Sequence, residues 1–293
     1  MRFHFTEAAG DPAHWLPLAR AVEDAGFTGI CLADSLAYPS ESDAKYPYTD
    51  DGNREFLRGK AFIEPLVLAA ALTAATTRLH VTPFVLKLPV RPPVLVAKQA
   101  ASIAALSGNR LSLGVGISPW PQDFTMMGVP FPHRGRRLDE CIDIVRGLCG
   151  GGPFQHHGEF YDIPEIEINP VPTQPLPILL GGHSDAALRR SVIRGDGWMS
   201  AGASPADLDT MLAKLSTLRR DLAPDKTFRT FAVSRDAFTP AGVARLAQSG
   251  VTDAIIGFRG LHEPGPDHRT LDERIEQIQK FAATVIAETG TAD

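Results

Sequence analysis

The run Gly181-Gly182-His183-Ser184 has the composition of an anion-binding turn. It follows a short apolar stretch and precedes a helical pattern, so its backbone N–H groups would stand at the start of a helix. N–H groups at a helix start, together with the helix dipole, favour a phosphate group. The same four residues also suit a plain tight turn with Ser184 as an ordinary helix cap, and both interpretations stay open.

Asp34 and Ser35 form a second candidate pair, because they directly follow the apolar run of residues 29–33. A carboxylate and a hydroxyl at the end of a buried strand can bind a ligand or take part in proton transfer. Asp34 is the titratable group of the pair, and we predict that it gates a proton step. The alternative is that Asp34 only turns or caps the loop that follows.

Two glycines, Gly114 and Gly116, lie at the end of a third apolar run, residues 111–115. This run is too short for a helix and is bounded by turn residues, so it predicts a buried parallel strand. Glycines near the end of such a strand let a flat ligand approach the backbone. For Gly114, relief of crowding inside the sheet is an equal alternative, whereas Gly116 and the loop after it favour a ligand.

Other familiar sites are missing from the sequence. His156 and His157 have no third ligand at a useful spacing, so no metal site is predicted. The pair Gly114-x-Gly116 has Pro119 where a dinucleotide fingerprint needs its third glycine. A serine nucleophile elbow does not occur either.

The composition describes an ordinary globular protein in which 44% of the residues are hydrophobic and 22% are charged. The net charge of −5 and the lack of a basic run argue against a nucleic-acid partner. No apolar stretch reaches the ~18 residues that a membrane span requires. The N-terminus has no signal-peptide pattern, and the three cysteines share no metal or redox spacing. We therefore expect buried thiols and a cytoplasmic protein.

Short apolar runs alternate with helical patterns along the chain, which predicts βα units and a parallel sheet. The predicted strands are residues 2–6, 29–33, 79–85, 111–115, 178–180, a strand that begins at Trp198, residues 228–233 and residues 253–257. Eight units in 293 residues predict one α/β domain over residues 1–293, a closed (β/α)8 barrel. Two insertions interrupt the pattern. One, at about residues 36–60, is predicted to be a lid, and the other, residues 150–177, a small hairpin.

The active site of such a barrel lies at the carboxyl ends of the strands. That rule selects a short list of positions, namely Thr6, Asp34, Ser35, residues 82–84, residues 116–123, Gly181 to Ser184, Gly197 and Trp198. Among these, we predict Gly116, Gly197 and Trp198 as ligand contacts from their position alone.

Several short runs follow one another in a fixed order between residues 91 and 198. They are Arg91-Pro92-Pro93 with Ala97-Lys98-Gln99, Leu106-Ser-Gly-Asn-Arg-Leu-Ser-Leu-Gly-Val-Gly116, Gly128-Val-Pro-Phe with Arg134-Gly-Arg-Arg-Leu-Asp-Glu140, Gly158-Glu-Phe-Tyr161, Pro175-Leu-Pro-Ile-Leu-Leu-Gly-Gly182 and Gly195-Asp-Gly-Trp198. In this order and spacing the chain resembles the luciferase-like oxidoreductases, the bacterial luciferase superfamily, and in particular their deazaflavin-dependent branch.

The resemblance implies a barrel that binds coenzyme F-420, or alternatively FMN, with the ring at the barrel mouth. In this family a bulge at the end of strand three, often with a non-proline cis peptide, backs the ring. Here it falls near Thr82, Pro83 and Phe84. The family's phosphate site falls on Gly181, Gly182, His183 and Ser184, its strand-two acid on Asp34, and its ring-contacting loop on residues 117–122, including Ile117, Ser118 and Gln122.

The chain departs from the deazaflavin pattern at two positions. Ser35 stands where that branch often has histidine, and Pro119 stands where it can have glutamate. The resemblance therefore implies the cofactor site more firmly than the proton donor, and it leaves Asp34 with Ser35 as the predicted catalytic pair.

We predict an oxidoreductase that transfers hydride between coenzyme F-420 and a small organic substrate, with the cofactor supplying the redox chemistry. One alternative is an FMN-dependent monooxygenase that uses oxygen and reduced flavin. A second is a flavin-binding protein without turnover. The resemblance also implies a homodimer that pairs through the helices after strands two and three.

Overall fold

The strands form from short, mostly buried apolar runs. The computed structural model describes residues 1–7, 10–46, 49, 51–260, 262, 263 and 265–290. The strands are β1 (Arg2–Thr6), β2 (Gly29–Leu32), β3 (His80–Pro83), β4 (Leu86–Lys87), β5 (Leu113–Gly116), β6 (Phe154–His157), β7 (Asp162–Ile166), β8 (Ile178–Gly181), β9 (Gly197–Met199), β10 (Arg229–Val233) and β11 (Asp253–Ile256).

Helices follow these strands and cover the outside of the sheet. They are α1 (Trp15–Asp24), α2 (Pro65–Ala75), α3 (Pro93–Ser107), α4 (Pro121–Met126), α5 (Arg134–Cys149), α6 (Asp185–Arg194), α7 (Pro205–Leu222), α8 (Pro240–Gln248) and α9 (Leu271–Phe281), with α9 continuing through a π-helical turn, Ala282–Ile286. The predicted cap Ser204 is confirmed, since its side chain accepts from the Asp207 N–H. Helix α4 was not predicted.

The main sheet has the order β3-β2-β1-β11-β10-β9-β8-β5-β4, and every pairing in it is parallel. A parallel bridge between Val81 of β3 and Leu111, just before β5, joins the two ends of this sheet and closes it. The fold is therefore the (β/α)8 barrel that the sequence predicts. Among the described residues, no helix combines the length and apolar character that a bilayer crossing needs.

Strand three is divided, which the sequence did not predict. The expected single strand of residues 79–85 ends at Pro83 as β3, which pairs with β2, and the chain resumes as β4, which pairs with β5. Between them lies a non-proline cis peptide joining Phe84 and Val85. The bulge predicted near Thr82, Pro83 and Phe84 is thus present, one residue further along the chain.

The two predicted insertions differ in structure. Residues 150–177 contain the expected hairpin, β6 with β7. Glu140 of α5 binds this hairpin, because its carboxylate accepts from the N–H groups of residues 159, 160 and 161. The described residues of the lid insertion, residues 36–60, are irregular apart from a 3-10 turn, Glu55–Leu57. Pro47, Tyr48 and Asp50, which belong to the predicted lid, lie outside the described residues.

A small apolar cluster fills the inside of the barrel. It consists of Cys31, Leu179, Met199, Phe231 and Ile255, against which Phe84, Val85 and Val233 pack. The cysteines are free and buried, as the sequence predicts.

An ionic cluster around Asp253 closes the opposite, amino-terminal end of the barrel. The Asp253 carboxylate is fully buried and binds Arg2 at 2.9 Å, His4 at 2.8 Å and Arg229. Burial alone would raise the pKa of Asp253, but the His4 hydrogen bond and the two guanidinium groups hold it far below its usual range. The carboxyl-terminal end of the barrel is the end that remains available for a binding site.

Candidate active site

A cavity of about 460 Å³ opens at the carboxyl ends of the barrel strands. That is where the chemistry of this fold is expected, and the volume is in the range of small-molecule sites. Ten of the predicted site residues line it, namely Asp34, Ser35, Phe84, Gly116, Ile117, Ser118, Gly181, Gly182, His183 and Ser184.

The floor of the cavity is built around Val85. A side chain at Gly116 would place its Cβ 2.8 Å from Val85 Cγ2, and one at Gly181 would place its Cβ 2.9 Å from Val85 Cγ1. These two glycines therefore make room for the floor residue. Gly114 differs, since its Cβ would lie 2.0 Å from the Pro83 carbonyl oxygen inside the sheet. A glycine is needed at position 114 because of crowding inside the sheet. At position 116 it is needed because Val85 occupies the cavity floor.

The turn from Gly181 to Ser184 leads into α6 as expected. Gly182 has a φ of +125°, a conformation that favours glycine. The Ser184 Oγ accepts a 3.2 Å hydrogen bond from the Ala187 N–H, so it is the N-cap of α6. The first N–H groups of a helix have no partner within it, and Ser184 and Ala187 at the start of α6 line this end of the cavity. The Arg190 guanidinium also lines this end and is held by Asp139 at 2.7 Å.

Two hydrogen bonds from other parts of the chain hold the turn of residues 181–184 in its conformation. The Trp198 indole N–H donates to the Gly182 carbonyl oxygen at 2.8 Å, and the Ala201 N–H donates to His183 Nε2 at 3.1 Å. Burial lowers the pKa of His183, with Asp207 opposing the effect. A neutral ring whose Nε2 is an acceptor carries its proton on Nδ1. His183 is therefore a hydrogen-bonding group in this turn and not a fixed positive charge.

A chain of charged groups runs along the side of the cavity next to the lid. Asp34 accepts from Arg91 at 2.7 and 2.9 Å and from the Lys87 backbone N–H at 2.8 Å. The Lys87 ammonium lines the cavity and lies 2.7 Å from the Asp123 carboxylate, which also accepts from the Ser118 hydroxyl. Both Asp34 oxygens thus have donors, while Ser35 faces the cavity.

Aromatic rings from three loops form the roof. Tyr46 of the lid stacks on Trp120 with centroids 5.4 Å apart and planes at 15°. Phe56, also of the lid, lies 5.0 Å from the His262 ring in the loop after β11, and Tyr46 lies 5.2 Å from the same ring. Such edge and stacked contacts hold the loops over the cavity and exclude water from it.

Five of the predicted contacts do not line the cavity: Thr82, Pro83, Gln122, Gly197 and Trp198. Thr82 and Pro83 are buried within the sheet, and Gln122 lies in the first turn of α4 with its Oε1 unpartnered among the described atoms. Gly197 faces the Arg229 carbonyl oxygen. Side chains alternate along a strand, so Met199 reaches the cavity while Trp198 lies behind the Gly182 turn.

Sequence reasoning missed several lining residues, including Glu7, Lys60, Lys87, Arg190 and His262. The strand-end rule could have found Glu7, since it follows β1 as Asp34 follows β2. Glu7 is 5% exposed, and burial raises its pKa, although Arg274 and Arg269 oppose the shift.

Within the described part of the chain, no group of three or more metal-binding side chains occurs. His156 instead lies 3.2 Å from Glu140, and His157 lies 2.5 Å from Asp162.

The family profile described as "Luciferase-like monooxygenase" matches residues 2–251. The chain belongs to this family. A luciferase-like relative, the uncharacterized protein Rv0940c of Mycobacterium tuberculosis (strain ATCC 25618 / H37Rv), is 56% identical over 287 residues, covering 98% of this chain and 99% of the relative.

Solved luciferase-like structures share the fold at low sequence identity. The monooxygenase RslO1 from Streptomyces bottropensis superposes with a TM-score of 0.75 at 15% identity, covering 98% of this chain and 99% of that one. The coenzyme F-420-dependent tetrahydromethanopterin reductase of Methanopyrus kandleri gives 0.73 at 14% identity with the same coverage. At these identities the likeness shows a shared fold.

Proposed function

We propose that this luciferase-like protein transfers hydride between coenzyme F-420 and a small organic substrate. One observation carries the proposal: a glycine-lined floor and the start of α6 belong to the same cavity, beneath the aromatic roof. The F-420-dependent reductase among the structural neighbours supports this choice of cofactor. The Asp34 region and the loop after β5 favour it on sequence.

The residues present fit a ring that carries a phosphate. Phe84 and Val85 would support the ring at the floor, and the N–H groups after Gly182 would bind the phosphate with Ser184. Arg190 adds a cation at that end. When bound, the deazaflavin would supply the hydride chemistry, and the protein's contribution is orientation and a dry site.

Asp34 and Ser35 remain the proposed catalytic pair. The Ser35 hydroxyl faces the cavity, where it can donate to or accept from a bound molecule. Asp34 binds both the side chain of Arg91 and the backbone of Lys87, so it positions the segment that follows the floor. We propose that Asp34 acts through this segment and that Ser35 contacts the bound molecules.

An FMN-dependent monooxygenase is the second candidate, and the family description and the RslO1 neighbour favour it. Titration with coenzyme F-420 and with FMN, followed by fluorescence, separates the two. We expect the tighter binding for F-420. Micromolar FMN binding without F-420 binding, together with oxygen consumption on flavin reduction, would establish the monooxygenase instead.

We also propose a homodimer that pairs through α2 and α3. Large apolar side chains on these helices are exposed, namely Val67 of α2 and Leu95 and Leu106 of α3, and Leu106 is 85% exposed. Substitution of so exposed a residue spares the fold, so Leu106→Glu should convert the dimer to a monomer in light scattering. A wild-type monomer would refute this proposal without affecting the cofactor assignment.

A further inference from the structure

Lys60, the last residue of the lid, lines the cavity and has no ion-pair partner among the residues that the structure describes. Its Nζ donates to the Glu263 carbonyl oxygen at 3.0 Å and lies 5.7 Å from the Phe56 ring centroid. Among the described residues, no carboxylate oxygen lies within 4.0 Å of this ammonium. Its hydrogen bond in the described part of the chain is therefore to a neutral carbonyl group.

Groups of both charges surround Lys60. Burial, followed by the nearby Arg259 guanidinium, lowers the pKa of Lys60, and the carboxylates of Glu263, Asp267 and Glu7 oppose that shift. Burial and the charge of Lys60 in turn lower the pKa of His262, which lies on the same wall. Removing a cation from water and placing it near a second cation is unfavourable, and a bound anion would offset both effects.

The carboxylates nearby are already committed. Glu7 and Asp267 share two arginines, since Arg269 lies 3.4 Å from Glu7 and 2.5 Å from Asp267, and Arg274 lies 3.6 Å and 3.4 Å from them. Glu263 in turn lies 3.2 Å from Arg259. Three carboxylates thus face three guanidinium groups, and the charge of Lys60 is in excess, which suits a monoanion.

Aromatic side chains lie next to Lys60. Its Nζ is 5.7 Å from the Phe56 ring centroid, and the Tyr46 ring packs on Phe56 at 5.1 Å. Leu57 and Phe62 also line the cavity. Lys60 comes from the loop after β2 and touches the loop after β11, and these two strands flank β1. Strand β8, whose end carries Gly181, is the fourth strand from β1 in the sheet. In a barrel of eight strands, Lys60 and the turn that begins at Gly181 therefore lie on opposite sides of the cavity opening.

We propose that the substrate is a planar organic carboxylate, with its carboxylate bound by Lys60 and its body against Tyr46, Phe56 and Phe62. This inference rests on the proposed function, because it assigns the end of the cavity opposite the cofactor phosphate to the substrate. It makes Lys60 a specificity-determining residue.

Benzoate and its neutral isostere benzamide test the proposal by isothermal titration calorimetry. The titrations use the protein loaded with whichever cofactor it binds, and the cofactor-free protein alongside. The variants are Lys60→Met, which removes the charge at similar length, and Lys60→Arg, which keeps it. Lys280→Met, on the exposed face of α9, is the matched control.

Wild-type protein should bind benzoate about tenfold more tightly than benzamide, as expected for a hydrogen bond to a charged group. Lys60→Met should remove that preference and leave benzamide binding unchanged, whereas Lys60→Arg and Lys280→Met should retain it. Equal wild-type affinities, no saturable binding of either probe, or an equal loss of both probes in Lys60→Met would each overturn the proposal. A preference that depends on Lys60 in a protein that binds neither F-420 nor FMN would refute the proposed function and leave this subsite standing.

Discussion

Arg91 binds Asp34 through two hydrogen bonds of 2.7 and 2.9 Å, and these side chains are 9% and 1% exposed. The pair joins the end of β2 to the segment that follows β4. The Lys87 N–H completes the set of donors to Asp34 at 2.8 Å. The Asp34 carboxylate therefore connects the end of β2, in the cavity wall, to the segment that follows the cavity floor.

Asp34→Asn should destabilise the protein by about 3 kcal/mol, because it leaves the buried Arg91 charge with only the more exposed Glu64 carboxylate, at 3.5 Å. Urea unfolding of Asp34→Asn, Arg91→Met and the double variant measures the coupling between the two residues. Asp209→Asn, at an ion pair with Arg245 that is exposed on both sides, is the control and should change stability by less than about 1 kcal/mol. A similarly small effect at Asp34 would contradict the buried pair.

The catalytic role proposed for Asp34 has a separate readout. If Asp34 also controls the reaction, Asp34→Asn should keep the cofactor and slow turnover by at least ~100-fold, the lower end for loss of an acid–base group. Turnover at wild-type rate with an unchanged pH profile would leave Asp34 with a structural role only.

Ser184→Asp should weaken cofactor binding by about tenfold or more, since it sets a negative charge beside the phosphate position. Asparagine and aspartate both cap helices well, so Ser184→Asn is the isosteric neutral control and should bind nearly as tightly as wild type. Equal thermal stability of the two variants would show that α6 is intact in both. Equal cofactor affinity in both would remove the phosphate from this turn.

Gly114→Ala should cost more than about 3 kcal/mol, because the new Cβ would meet a backbone carbonyl oxygen that cannot move aside. Gly116→Ala meets only the side chain of Val85 and should fold. The Gly116→Ala substitution should instead change the affinity for the cofactor. Chemical denaturation and fluorescence titration of the two variants distinguish packing from binding, and matching stability losses would refute the distinction.

Stability should fall between about pH 6.5 and about pH 4 in part through His80. Burial, followed by the positive charges of His4 and Arg229, lowers the pKa of His80 to about 4. An unfolded histidine titrates near 6.5, so in this window the unfolded state binds a proton that the folded state does not. His80→Gln lacks this difference, and its unfolding free energy should fall less on acidification. Parallel pH profiles for the two proteins would exclude His80 as a source.

Local chemistry made part of this structure predictable. The caps Ser184 and Ser204 bind N–H groups only three residues away, so the helix starts could be found from neighbouring residue types. The division of strand three was not visible, because residues 79–88 are largely apolar throughout. The register with β2 on one side and β5 on the other decides where that strand breaks.

The missing parts of the site arise from contacts between distant residues. Lys60 and Glu263 are separated by 203 positions, and no local pattern brings them together. Trp198 was predicted as a ligand contact from its place at a strand end, but strand alternation turns it toward Gly182 instead.

Because strand three is divided at the cavity floor, a molecule bound in the cavity contacts the place where the barrel closes. Phe84 and Val85 form the cavity floor and also connect β3 to β4, the two strands through which the cylinder closes. A molecule resting on that floor contacts both sides of the closure. Its binding free energy then opposes local unfolding of β4 and β5, because only the closed form offers the surface. Binding of a molecule in the cavity should therefore slow amide hydrogen exchange in β4 and β5.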